Sequence, residues 1–192
     1  MVLSKHKKLI ELIKLISSHG MTAGAKDRKK QKQPWSYDVA TFGKKANMSE
    51  VHAAIGNGQL KQFAKDQEKR QKLALRYIKN LKDLNDYFKL PITKAGITHG
   101  WHLFVIKLKL DDLKFSRDEF IHKLSKLGIG CGVHYRPVFE FSFYKKILNQ
   151  NASEFPNATY AGERVVTLPL YPSLKLSDVD YVCQKIRSVL EK

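Results

Sequence analysis

The sequence predicts an α/β fold of the α+β kind: a short, mostly antiparallel sheet with helices packed on it, preceded by one long helix. Three observations predict it. In HLFVIKLKL, Phe104, Ile106, Leu108 and Leu110 alternate with Val105, Lys107 and Lys109, the pattern of a strand. Helical patterns with polar start signals stand on either side of it. From Trp101 onward the order is strand, helix, strand, irregular stretch, strand, helix, which makes a small layered structure with helices on the sheet.

The elements follow in order. Residues 4–18 form an amphipathic helix, with Leu9, Ile13 and Ile16 on one stripe and Leu12 and Leu15 widening it; it ends at His19–Gly20. Glu11 and Lys14 interrupt its apolar run, so it reads as a docking helix rather than a cleaved leader. Residues 23–34, AGAKDRKKQKQP, form a basic, mobile connector. A loop with Trp35, Tyr37 and Phe42 leads to GKKANMSE, where a long helix starts from Asn47 or Ser49, with Asn47 and Glu50 making a capping-box-like start. The long helix has apolar positions at Val51, Ile55, Leu60, Phe63, Leu73, Tyr77 and Leu81. Gly56 and Gly58 mark a bend or a close contact, and KDQEKRQK projects into solvent. A loop with Pro91 and Gly96 precedes the first strand. Ser116 and Glu119 form a capping box for a helix that buries Phe120, Leu124 and Leu127 and stops at Gly128. GIGCGVHYRPVF is the second strand and VVTLPLYP the third. Ser177 caps a last helix that buries Val179, Val182, Ile186 and Val189.

Composition bounds the function. The chain has 192 residues, 43% of them hydrophobic, enough for a core. Its 2 cysteines, Cys131 and Cys183, make no disulfide framework, which points to a reducing, cytoplasmic setting. No apolar run reaches the length of a membrane span. The net charge of +17 suits an anionic partner, yet only Lys26, Arg28, Lys29, Lys30 and Lys32 cluster densely. The rest is spread over solvated helix faces, which argues against a nucleic-acid surface.

Two stretches carry chemistry. In a strand, Gly130, Gly132 and His134 share one face, and the two glycines leave it bare for a ligand or another backbone. Arg136 before Pro137 ends the ladder. A histidine and an arginine at a strand end suit an anionic or hydroxyl-rich ligand; a tight corner packed on the chain's own helix balances that reading. In GKKANMS, two lysines and an asparagine before a helix N-terminus form a generic anion site, or Asn47 only caps the helix. His99 and His102 have a spacing that could hold a metal but no third ligand, so no metal is expected. His52 packs on the long helix.

These pieces, in order, resemble a known family. SSHGMT, WSYDVATFGKKANMSEVHAAIGNGQLKQF, WHLFVIKL, LGIGCGVHYRPVF and FPNATYAGERVVTLPLYPSL resemble the C-terminal half of the DegT-type, pyridoxal-phosphate-dependent aminotransferases that act on nucleotide-linked keto-sugars in polysaccharide biosynthesis. The resemblance implies the C-terminal part of an aspartate-aminotransferase-like fold. Residues 1–48 are then a remnant of the large cofactor domain with the connector and an active-site loop, and residues 49–192 the long helix plus the small domain. It also implies that Lys45 and Asn47 face the cofactor phosphate of a homodimer partner. His134, Tyr135 and Arg136, with His102 near them, face the substrate. Two departures stand out. The family usually has an aromatic residue where this chain has Lys44, and often another at Ala46. The family's Schiff-base lysine, ahead of a Thr-Thr-Gly-Glu-Gly-Gly-like run, belongs to its N-terminal half, and no such run occurs here. The residues therefore leave two readings open: a half-enzyme that works with a separate N-terminal half, or a truncated, non-catalytic remnant. A basic module for nucleic acid or anionic surfaces ranks behind both, since no motif supports it.

Overall fold

The structure, a computed structural model, describes residues 2–22, 35, 37–149 and 151–191. The connector expected at residues 23–34 lies outside them. The chain forms two compact units, residues 1–61 and 62–192.

In the first unit, helix α1 (Lys7–Ser17) ends in two left-handed residues, His19 at φ 61° and Gly20 at φ 72°. The Gly20 N–H turns back to the Leu15 carbonyl at 2.9 Å, a helix ending of the expected kind. The long helix α2 (Glu50–Leu81) starts here. Asn47 does not cap it. Ser49 does: its Oγ accepts from the His52 N–H at 3.3 Å and lies 2.8 Å from His52 Nδ1. The cap must directly precede the first helical residue, and Ser49 is the residue in that position. His52 is exposed and part of this cap, not packed. Gly56 and Gly58 have open space around them, so no close contact occurs there, and the helix assignment runs through both.

The second unit is built on three antiparallel strands, β1 (Phe88–Lys89), β2 (Phe104–Leu108) and β3 (Val165–Leu168), in that spatial order. Phe104 pairs with Leu168 and Val105 with Thr167. Period-2 geometry sends Phe104, Ile106, Leu108, Val166 and Leu168 to one face, where they are buried. They meet Tyr77 and Leu81 of α2, Phe120 and Leu124 of α3 (Arg117–Lys126), and the stripe Val179, Val182, Ile186, Val189 of α6 (Leu176–Leu190) in one core. Tyr77 stacks on Phe104 at 4.8 Å between ring centroids. Each such large apolar side chain contributes about 2 kcal/mol by burial. The other face receives α5 (Pro156–Arg164), whose Tyr160 ring lies 5.3 Å from Lys107 Nζ.

Three expectations need correction here. The stretch 128–139 is not a strand: only Gly132 pairs, with Thr167, in an isolated bridge. Pro137 has no N–H and the chain turns at Val138–Glu140, so the ladder cannot extend. The irregular stretch is instead helical, with α4 (Ser142–Leu148) and α5, the latter opened by Pro156 in its first turn. The last helix begins before Ser177, at Leu176, where the Lys175 N–H donates to the Asp178 carboxylate at 2.9 Å. The Ser116–Glu119 capping box is present as expected, and its two donors hold the Glu119 carboxyl below its ordinary range.

Candidate functional site

The sequence-predicted residues fall into two patches, one in each unit. In the first unit, two glycines let the chain pass across the end of α1. A Cβ on Gly20 would run into the Thr41 carbonyl oxygen, and one on Gly43 would run into the Gly20 nitrogen and stand 2.5 Å from the His19 carbonyl carbon. With that crossing open, residues 44–46 lie along the C-terminal turn. The Lys44 N–H donates to the Ile16 carbonyl at 2.8 Å and the Ala46 N–H to the Ser17 carbonyl at 3.0 Å. The loop is thus fastened by backbone bonds, without the aromatic residues the family resemblance leads one to expect at 44 and 46. The N–H groups of residues 44 and 46 are consumed in this fastening. What remains is side-chain chemistry. Lys45 and Asn47 are both exposed, and neither side chain has a hydrogen-bond partner among the described residues. One cation and one amide donor on an anchored loop suit a phosphate.

In the second unit, His134 lies against β3. Its Nδ1 is 2.8 Å from Thr167 Oγ1, and Thr167 is only 7% exposed. The bridge places the two: the Gly132 N–H donates to the Thr167 carbonyl at 3.0 Å and the Thr167 N–H to the Gly132 carbonyl at 2.8 Å. The glycine face expected to be bare at Gly132 is covered by the chain's own imidazole. A Cβ there would lie 2.8 Å from His134 Cε1. Around Gly130 a Cβ would meet open space. Tyr135 is 72% exposed and stands edge-on to His134 at 4.7 Å.

Arg136 donates from Nε to Glu140 at 2.8 Å and borders a cleft of about 530 Å³ shared with Glu140, Lys145, Asn149 and Asn151. Being half exposed, this ion pair is weak and can give way to an anion. Pro137 is seated by Gly162 of α5, where any Cβ would collide with the proline ring.

His102 is exposed, directly after the buried Trp101, which has φ 41°. His99 is not a metal ligand in waiting. Its Nδ1 accepts the Trp101 N–H at 2.9 Å and its ring lies 4.1 Å from the indole. Among the described residues no three His, Cys, Asp or Glu side chains gather into a metal-binding group.

Sequence reasoning missed the supports of this patch. Arg70 Nη1 donates to the Leu170 carbonyl at 3.2 Å and the Trp101 carbonyl at 3.4 Å, and Gln67 to the His99 carbonyl at 2.8 Å. Both come from KDQEKRQK, expected to project into solvent. Their spacing on one helix face, continued by Leu73 and Tyr77, was the available signal.

Comparison with known proteins bears on the chain as a whole. Residues 1–187 match the sequence model of the DegT/DnrJ/EryC1/StrS aminotransferase family. A UDP-4-amino-4,6-dideoxy-N-acetyl-beta-L-altrosamine transaminase of Campylobacter jejuni is 34% identical over 195 residues, covering 100% of this chain and 48% of that protein. The spore coat polysaccharide biosynthesis protein SpsC of Bacillus subtilis is 32% identical, over 100% of this chain and 49% of that one. The sugar aminotransferase Spr1654 of Streptococcus pneumoniae, solved in its PMP form, superposes with a TM-score of 0.83 at 27% identity, over 96% of this chain and 45% of that one. The chain thus spans about half the length of the curated relatives it matches.

Proposed function

Because the chain belongs to the DegT/DnrJ/EryC1/StrS aminotransferase family, we propose that it is the C-terminal portion of a pyridoxal-phosphate-dependent aminotransferase acting on nucleotide-linked keto-sugars in cytoplasmic polysaccharide biosynthesis. The observation that carries this is the match of the whole chain to about half of sugar-aminotransferase relatives. The 192 residues contain no lysine in the Thr-Thr-Gly-Glu-Gly-Gly-like context, so they do not transaminate by themselves. An N-terminal half of the same fold supplies the Schiff-base lysine and the carboxylate for the ring nitrogen.

Pyridoxal phosphate, when bound, supplies the electron sink for exchange of an amino group and a carbonyl. The residues of this chain fit its phosphate end alone: Lys45 offers a point charge and Asn47 an amide donor, both free of other partners among the described residues. On the substrate side, His134, the exposed Tyr135, Arg136 and His102 bind and orient. Arg136 can exchange Glu140 for a phosphate oxygen of the nucleotide. Tyr135 offers a ring face and a hydroxyl to sugar or base.

The test is reconstitution with the N-terminal half of a relative. The expected results are a visible absorption band of bound pyridoxal phosphate and binding of UDP. Lys45→Ala and Asn47→Ala are expected to weaken cofactor retention, and His134→Ala to weaken UDP binding. A reconstituted pair that takes up no cofactor would leave a non-catalytic remnant as the reading.

A further inference from the structure

We propose that Thr167 and Gly132 are positioning residues that hold His134 as a single tautomer with the proton on Nε2, so that Nε2–H faces a phosphate or hydroxyl oxygen of the nucleotide-linked sugar. The substrate half of this statement rests on the functional reading above. The tautomer half rests on geometry alone.

The Thr167 hydroxyl is buried, and a buried hydroxyl needs an acceptor for its proton. The nearby backbone carbonyls of Gly132 and Thr167 already accept each other's N–H groups. Among the described residues the hydroxyl has one partner, His134 Nδ1 at 2.8 Å. A threonine that donates to Nδ1 requires a lone pair there, which places the proton of the neutral ring on Nε2. Nε2 has no hydrogen-bond partner among the described residues, so its proton is available to a ligand.

Gly132 supplies the second, independent observation. The imidazole lies over it so closely that a Cβ would stand 2.8 Å from Cε1 and 3.3 Å from Nδ1. Any side chain at 132 pushes the ring away from Thr167. The glycine therefore makes room for the chain's own imidazole, and the strand bridge fixes the distance between anchor and ring. A histidine held at one nitrogen and free at the other meets substrate as a directed donor with little rotamer freedom left to lose.

The experiment is a long-range proton–nitrogen spectrum of the imidazoles in the isotope-labelled chain, at a pH where His134 is neutral. The expected wild-type pattern for His134 is an unprotonated Nδ1 and a protonated Nε2. Thr167→Val, which keeps the shape and removes the hydroxyl, is expected to lose that pattern for a tautomer mixture; Thr167→Ser restores it. Gly132→Ala is expected to shift the His134 ring signals as well. His99, whose Nδ1 accepts the Trp101 N–H, is the internal control, since its unchanged signals report an intact fold. A wild-type proton on Nδ1, or a Thr167→Val pattern equal to wild type, overturns the proposal. Unchanged UDP binding by His134→Ala overturns the substrate role instead, and leaves the tautomer result to stand separately.

Discussion

Tyr77 is fully buried, stacks on Phe104 and donates its hydroxyl to the Pro169 carbonyl at 3.0 Å. Burial pushes its phenol far above the usual range, so it keeps the proton it donates. Tyr77→Phe keeps the ring and leaves the Pro169 carbonyl without its donor, at an expected cost of about 1 kcal/mol in urea unfolding. Tyr77→Ala is expected to cost about 3–5 kcal/mol, since it also leaves a cavity. If both variants cost the same, the ring's packing contributes nothing, contrary to the core described above. Burial likewise raises the thiols of Cys131 to about 11 and Cys183 to about 12, so neither is a nucleophile at neutral pH. At this scale His134 and Lys45 could be singled out from residue type and neighbours. Arg70 was not, because its role is to hydrogen-bond backbone carbonyls 31 and 100 residues away, and such acceptors leave no mark in a sequence.

Two ion pairs hold α6, one to α2 and one to the turn at residues 82–84 that follows α2. Arg76 makes two bonds of 2.7 Å to Asp180, and Asn80 adds a third at 2.6 Å. Arg187 binds Asp83 at 2.7 Å and 2.6 Å. The Arg76 hydrogen bonds hold the Asp180 carboxyl below its ordinary value, and Arg187 does the same for Asp83. A depressed carboxyl stabilises the fold above its unfolded pKa of about 4 and loses that contribution as pH falls through the folded value. The thermal stability of the wild type is therefore expected to fall on acidification more steeply than that of Asp180→Asn, with the two curves converging at low pH. Curves separated by a constant offset would contradict this. The effect is expected to be small, because both side chains are over a third exposed. Element existence was largely readable. The Ser116–Glu119 capping box and the stripe of α6 are local patterns, and both helices formed where those patterns lie. Helices α4 and α5 were missed because helices of 7 and 9 residues are too short to show a clear period; Pro156 at the first turn of α5 was an overlooked signal. The glycine-rich stretch misled in the other direction, since alternation on paper cannot show that only Gly132 finds a strand to pair with.

The exposed stripe of α1 belongs to the whole molecule. Leu9 is 44%, Leu12 47% and Ile16 40% exposed, and the helix has no buried residue. In the working enzyme proposed here these side chains pack on the N-terminal half. Reconstitution is then expected to slow hydrogen exchange across α1 relative to the isolated chain; equal exchange in both would count against that packing. No helix among the described residues is long and apolar enough to cross a membrane. By itself the sequence determined the helix and strand periodicities, the capping box at Ser116, the family membership and the chemical types offered by Lys45, Asn47 and His134. All of these are written in residues near one another along the chain, or in the order of short motifs. Only the tertiary structure decided that Thr167, 33 residues from His134, anchors its ring, that Gly162 seats Pro137, and that Gly20 and Gly43 let the Lys45 loop cross α1. Those pairings arise from packing between distant segments, where shape and distance choose the partner and residue type alone does not.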